Sequence, residues 1–304
     1  MNTAFYVGRS FRLWPLYLLS LLLLVATGMI GQTLNVGREW PTLAFLSAIF
    51  SNLFLVGLDW FQHFSVVNGH IVFSEFGIDP KHNGVYLMLN LPAWSLAVEC
   101  AFYAMAPFIV RSFRRTVVMV GIGLTYCLWM RFGASPELSQ QVRLESYFPF
   151  QMLFFGLGSM AYWMHKSGSV KAAHQYLLFV MVCSLTYVSN LPGGSMLYLG
   201  IALSCGCLFD LTKSNRFDQF LGDLSYPIYI LQIPAGTLLR SQFMTSPTPM
   251  AYVLFALAVS IAAYFIVDVP VERFRKTLTK KILARARGIQ TAAVAPVTGI
   301  NVTS

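Results

Sequence analysis

Charge is what this sequence has least of. Of its 304 residues only 11% are Asp, Glu, Lys or Arg, while 56% are hydrophobic. A soluble domain carries about 25% charged residues, and a chain of this length needs them to cover a buried core. Too few are present for such a skin, so the solvent that fits is a bilayer. Metal and disulfide spacings are lacking as well. The five cysteines (Cys100, Cys127, Cys183, Cys205 and Cys207) stand in apolar runs with no CxxC pair, and read as small hydrophobes in helix packing. No small-x-small site closes the apolar run Leu16 to Ile30, which argues against a cleavable secretory signal. There is no internal repeat, and the two halves lack the matched Gly/Pro-broken helices of a secondary transporter. The net charge of +9 follows from membrane topology and does not point to a nucleic-acid partner.

What remains is a series of uncharged runs, each to be compared with the roughly 20 residues a spanning helix needs. They are Leu13 to Gly37, Trp40 to Leu58, Gly84 to Val110 (interrupted only by Glu99), Thr116 to Met130 and Ser146 to Met164. Ala172 to Asp210 is long enough for two helices hinged at Asn190-Leu191-Pro192-Gly193-Gly194, and Leu224 to Leu239 and Met250 to Val267 complete nine candidates. Lys and Arg gather in cytoplasmic loops. From Arg111/Arg114/Arg115 through Lys166/Lys171 and Lys213/Arg216 to the stretch Arg273 to Arg287, successive clusters are separated by two candidates, which places them and the C-terminus in the cytoplasm. Three candidates lie between Arg9/Arg12 and Arg111, where parity requires an even number. Trp40 to Leu58 is therefore expected to fall short of a full crossing, because Phe61 to His82 is too polar to face lipid. The expected fold is an all-α, polytopic transmembrane bundle of eight to nine spans, with eight as the working number. It covers residues 1–283, followed by a disordered tail of basic and small residues over 284–304. Seven basic residues between Arg273 and Arg287 would face anionic lipid headgroups.

Glu99 is the most informative residue. It sits in Trp94-Ser95-Leu96-Ala97-Val98-Glu99-Cys100-Ala101-Phe102-Tyr103. A carboxylate in a spanning helix costs about 2.5–3.5 kcal/mol on insertion scales, so it marks a functional site by default. Helical spacing places Ser95, Glu99 and Phe102/Tyr103 on one face. Trp94 suits the outer interface, with Glu99 about 7–8 Å deeper. Such a carboxyl can act as general acid or base or orient a hydroxyl; an interhelix ion pair is the structural alternative. Arg9 and Arg12 lie three apart at the cytoplasmic mouth of the first run. Two guanidinium forks there could grip phosphates, or simply anchor the helix. In Leu221-Gly222-Asp223-Leu224-Ser225-Tyr226-Pro227-Ile228-Tyr229, Ser225 is expected to cap a helix that starts there. Tyr226 and Tyr229 suit interfacial anchors, and Asp268-Val269-Pro270 should stop the last helix.

Taken in order, "F…RxxRLxPLY", "WSLAVExxFY", "LGDLSYPIYILQxP" and "VDVP" before a basic stretch resemble the acyltransferase-3 family over about Phe5 to Arg275. These are bacterial inner-membrane proteins that place acetyl or other acyl groups on surface sugars. The resemblance implies an acyl-CoA donor, acetyl-CoA above all, reaching the site from the cytoplasm as a substrate; no metal site is read from the residues. It also implies a carbohydrate or lipid-linked sugar acceptor. Glu99 would be catalytic, and Arg9, Arg12, Trp94, Ser95 and Tyr103 would bind substrate. Family members usually open with two further helices, the first carrying an Arg and, some ten residues on, the His taken as catalytic base. This chain starts just before RxxR, so it reads as a shortened member, and Gln232 stands where His is frequent. His63, His70 and His82, in the polar stretch before WSLAVE, are the substitutes at hand. The alternative expectation is a non-catalytic relative that binds glycolipid or assists polysaccharide export.

Overall fold

The computed structural model describes residues 2–73, 82–133, 147–168, 209–210 and 212–294. Nearly all of the run Ala172 to Asp210, with its expected hinge and with Cys183, Cys205 and Cys207, lies outside them, as do Lys171 and residues 295–304. The described chain is mostly helical, as expected, with one small β-hairpin as the exception.

Helix α1 (Asn2–Ala26) starts well before the uncharged run, since nothing in its first residues breaks a helix. Arg9 and Arg12 therefore lie inside it. The run ends early, at Gly28, whose φ of +79° is open to glycine without strain. A short α2 (Ile30–Gly37) follows, then α3 (Thr42–Phe54) and one turn, α4 (Leu58–Phe61). At 13 residues α3 is about 20 Å long, less than a hydrocarbon core of about 30 Å. That length fits the expectation that Trp40 to Leu58 falls short of a crossing. Next come β1 (Phe64–Val67) and β2 (His70–Phe73), an antiparallel pair with Phe64 opposite Phe73 and Val67 opposite His70. Asn68-Gly69, both at positive φ, form the two-residue turn that such hairpins favour.

Helix α5 (Ala93–Ile109) carries the WSLAVE motif, and α6 (Phe113–Leu128) pairs with α7 (Phe148–Ser167). Helix α8 (Arg216–Gln242) corrects one expectation. Its cap is Asn215, whose side chain accepts from the N–H groups of Phe217 and Asp218, so Ser225 lies inside the helix and donates to the Gly222 carbonyl at 2.7 Å. A second correction concerns Asp268-Val269-Pro270. Helix α9 (Pro249–Ala263) passes through a π-helical turn (Tyr264–Asp268) into α10 (Val269–Val294). Pro270 thus falls in the first turn of a new segment, where its missing N–H matters little. Helix α10 runs on to Val294, through the first half of the stretch assigned to a tail.

Among the described residues two helices are long and apolar enough to cross a membrane, Thr3–Ala26 and Pro249–Arg285; Thr42–Phe54 and Ala93–Ile109 are apolar but shorter. Only 33% and 17% of the two long apolar windows are buried, far too little for core helices of a soluble protein. Leu22, Leu43 and Ile266 are each more than 60% exposed.

The core joins α1, α5 and α8 through Leu13, Leu16, Tyr17, Leu96, Ile230 and Leu231. Buried amides pin it. Pro234 has no N–H to give the Ile230 carbonyl. Asn90, fully buried, donates to that carbonyl and to Ser20 Oγ, both at 2.9 Å. Asn52 donates to the Ala48 and Leu87 carbonyls and accepts from the Leu89 N–H, while its own carbonyl receives the Tyr17 hydroxyl at 2.6 Å.

The α6/α7 pair approaches closely at Gly123, where a Cβ would sit 2.5 Å from the Leu153 backbone nitrogen, whereas Gly121 meets nothing within 4 Å. Gly123→Leu should therefore lower stability by about 1–3 kcal/mol. Gly121→Leu should be close to neutral, and melting of both variants in detergent checks the contrast.

Candidate functional site

Three residues named from the sequence meet at one point. Glu99 lies near the middle of α5, and Tyr103, one turn on, donates its hydroxyl to Glu99 Oε1 in a short hydrogen bond. Arg9 reaches across from α1, with Nη1 donating to the Tyr103 hydroxyl at 3.4 Å. Its guanidinium also lies over the Tyr103 ring at 4.8 Å and the Phe5 ring at 5.4 Å. A cation over two aromatic faces keeps its charge while shedding water. The result is a chain from guanidinium through phenol to carboxylate, partly buried between two helices.

Tyr103 and Arg9 open onto a cavity of about 570 Å³ between α1, α5 and α7. Arg9, Arg111 and Lys166 supply cationic groups to its lining, and Phe5, Phe102, Tyr162 and Trp163 supply rings. The volume is typical of a small-molecule site. Lys166 is held over Trp163 (5.2 Å) and Tyr162 (5.9 Å). Three cations with aromatic walls form a setting for a polyanion with a planar base.

One turn from Glu99 in the other direction, Ser95 Oγ and the Tyr229 hydroxyl are 2.6 Å apart, and both reach the Pro92 carbonyl, at 3.1 and 3.0 Å. Tyr229, expected from the sequence to be an interfacial anchor, is thus a partner of α5. Tyr226, within electrostatic range of Glu99, donates to the Leu13 carbonyl at 2.6 Å. Trp94 lies beyond Ser95 and lines a different cavity, of about 350 Å³, with Gln32, Thr33, Gln62 and Tyr86. Along α5 the order is therefore cavity, Ser95–Tyr229, Glu99–Tyr103, cavity.

The two arginines of RxxR part company. Arg12 is exposed and lines a third cavity with Asp223, Tyr226, Asp268 and Glu272. Arg275, in the same place, grips Glu272 with two hydrogen bonds of 2.6 Å and reaches the Gly8 carbonyl at 3.4 Å, so α10 is tied to α1 one residue from Arg9. Arg12 thus faces carboxylates, and Arg9 faces the aromatic cavity. None of His63, His70 and His82 lines the cavities at either end of the Glu99 column. His63 is buried and stacked on Tyr147 at 4.3 Å, His70 sits exposed in β2, and His82 lies 3.7 Å from Glu39.

Asn90, Asn52, Arg111 and Lys166 carry structural or site roles that the sequence did not single out. An amide in the middle of an uncharged run, as at Asn90, was the available signal for the first two. The basic pair had been absorbed into topology.

A family model described as an acyltransferase domain matches residues 2–269, most of the chain. No curated protein and no solved structure gives a significant match.

The polar stretch before α5 has its own titration. Asp59 is buried, and burial pushes its carboxyl above the ordinary 3.8 against the opposing pull of its own backbone and of His63. The folded state therefore holds this proton more tightly than the unfolded chain. Stability falls as pH rises from 3.8 through the raised value. Asp59→Asn removes that loss, so its melting temperature relative to wild type should climb as pH rises from 3.8 through the raised value, as a thermal-shift series would record.

Proposed function

The chain belongs to the acyltransferase-3 family, and as a membrane acyltransferase we propose that it moves an acyl group, acetyl in the first instance, from acyl-CoA to a hydroxyl of a cell-surface or lipid-linked carbohydrate. The observation that carries this reading is the Arg9–Tyr103–Glu99 chain at the edge of a cavity walled by rings and three cations.

The donor enters that cavity from the cytoplasm of a bacterium whose inner membrane holds the protein. Its phosphates meet Arg9, Arg111 and Lys166, Arg9 being the fork best placed for bidentate contact. Its adenine lies against the aromatic wall, leaving the thioester to approach Tyr103. Arg12, set among carboxylates, stands at the rim and contributes long-range positive charge. The acceptor comes from the Trp94 side, past Ser95, which positions it.

The chemistry is acyl transfer. The acceptor oxygen attacks the thioester carbonyl while Glu99 takes its proton, directly or through the Tyr103 hydroxyl. Tyr103, backed by Arg9, can also donate to the oxygen that becomes negative in the tetrahedral intermediate. The C–S bond then breaks, and the departing thiolate of CoA receives the proton. A new ester remains on the sugar. Acyl-CoA is a substrate in this scheme, and no resident cofactor is required.

Glu99→Gln should abolish transfer of labelled acetyl from acetyl-CoA to membrane glycan with unchanged protein yield; full activity in that variant would remove Glu99 from the mechanism. Tyr103→Phe should cut kcat by about 100-fold or more. Arg9→Ala should chiefly raise KM for the donor, which steady-state kinetics with varied acetyl-CoA would separate from a fall in kcat.

A further inference from the structure

Two cavities share a wall on the Trp94 side of the bundle. The first, of about 350 Å³, presents Gln32, Thr33, Gln62, Tyr86 and Trp94, amide and hydroxyl groups beside an indole, with no Lys, Arg, Asp or Glu among its described lining residues. The second, of about 480 Å³, is a groove between α1, α2 and α3 with Leu22, Val25, Leu34, Ile49 and Leu53 in its walls. Thr33 and Leu89 belong to both. Their partition is held in place, because the Leu89 N–H bonds to Asn52 Oδ1 at 2.9 Å and Asn52 is itself buried and bonded to α3 and to Leu87.

Each half has its own chemistry. Uncharged amides and hydroxyls exchange hydrogen bonds with ring hydroxyls in both directions, and an indole offers an apolar face with a polar edge. That combination suits a sugar and disfavours a charged headgroup, which would find no counter-ion there. The groove is apolar, and Leu22 and Leu34 leave much of their surface uncovered, at 66% and 43% exposure. A hydrocarbon chain fills such a groove with the favourable free energy of apolar burial. One molecule can occupy both only if it is an amphiphile with its junction at Thr33 and Leu89.

We infer that the adjoining cavities form one composite site for a single-chain glycolipid, an uncharged sugar in the Trp94 cavity and its hydrocarbon chain in the α1/α2/α3 groove. The inference rests on the acyltransferase reading for its biological sense, since it makes the acceptor a sugar carried on lipid and not a free polymer. The sugar would stand one turn from the Ser95–Tyr229 pair, and its chain would set its depth relative to Glu99.

The test is binding and needs no acyl donor. Full-length protein in phosphatidylethanolamine/phosphatidylglycerol nanodiscs is irradiated with dodecyl maltoside bearing a diazirine near the chain end, and labelled peptides are mapped by mass spectrometry. Labelling should fall on peptides containing Leu22, Leu34 and Ile49, and unlabelled dodecyl maltoside should compete at least ten-fold better than dodecylphosphocholine or free maltose. Leu34→Trp and Ile49→Trp fill the groove from exposed positions and should each abolish labelling there. Gln32→Ala should weaken competition by dodecyl maltoside but not by dodecylphosphocholine. Equal competition by the two detergents would make the groove a general lipid contact and overturn the proposal, as would labelling that survives both groove variants. No groove labelling of the unaltered protein, while it still transfers acetyl to a soluble glycan, sinks this inference alone; groove labelling of the unaltered protein without any acetyl transfer sinks the enzymatic reading alone.

Discussion

A carboxylate inside an apolar helix must be answered by something nearby, and much of this structure is arranged around that answer. Glu99 takes the Tyr103 hydroxyl, and Tyr103 is in turn backed by Arg9. For the chain of contacts to form, α1 and α5 must pack with the RxxR turn beside the end of the WSLAVE helix. The α1/α5/α8 core imposes that alignment. The Tyr6 hydroxyl, donating to the Ala104 carbonyl at 3.1 Å, repeats the crossing one turn away. Charge, aromatic ring and carboxyl therefore share one short axis, and the cavity with three cations lies at its end.

The second constraint is backbone satisfaction. In lipid an orphaned carbonyl finds no water, yet α8 carries Pro227 and Pro234 in its interior. Asn90 resolves one of these breaks by donating to the Ile230 carbonyl, and in doing so fixes the segment that leads into α5. Tyr229, one turn before the break, can then meet Ser95 and the Pro92 carbonyl. The proline-containing SYPIY block and the WSLAVE block are thus two halves of a single joint.

The helical class was legible because the few charges leave uncharged runs close to the length that a spanning helix needs. Glu99 was legible as a carboxylate in apolar surroundings, Tyr103 through its place on the same helix face, and Arg9 through the RxxR spacing and the family resemblance. Arg12 was not separable from Arg9, since spacing fixes the face of a helix but not which neighbour carries the opposing charge; here Asp223 and Asp268 do. Ser225 misled because a Ser followed by Pro imitates a helix start, while Asn215 upstream caps better and lets the helix run through both prolines. The hairpin at Asn68-Gly69 carried a usable turn signal but was submerged in a stretch read only for its polarity. Arg111 and Lys166 converge with Arg9 through tertiary packing, and no local pattern announces that.

The central claim is that the reacting thioester comes to the Tyr103–Glu99 pair from the cavity holding Arg9, Arg111 and Lys166. An experimental structure with a non-transferable thioether analogue of acetyl-CoA addresses it most directly. The account predicts phosphates on those three cations and the sulfur within contact of the Tyr103 hydroxyl. Phosphates seated among Arg12, Arg273 and Lys276, with the sulfur remote from Glu99, would contradict it.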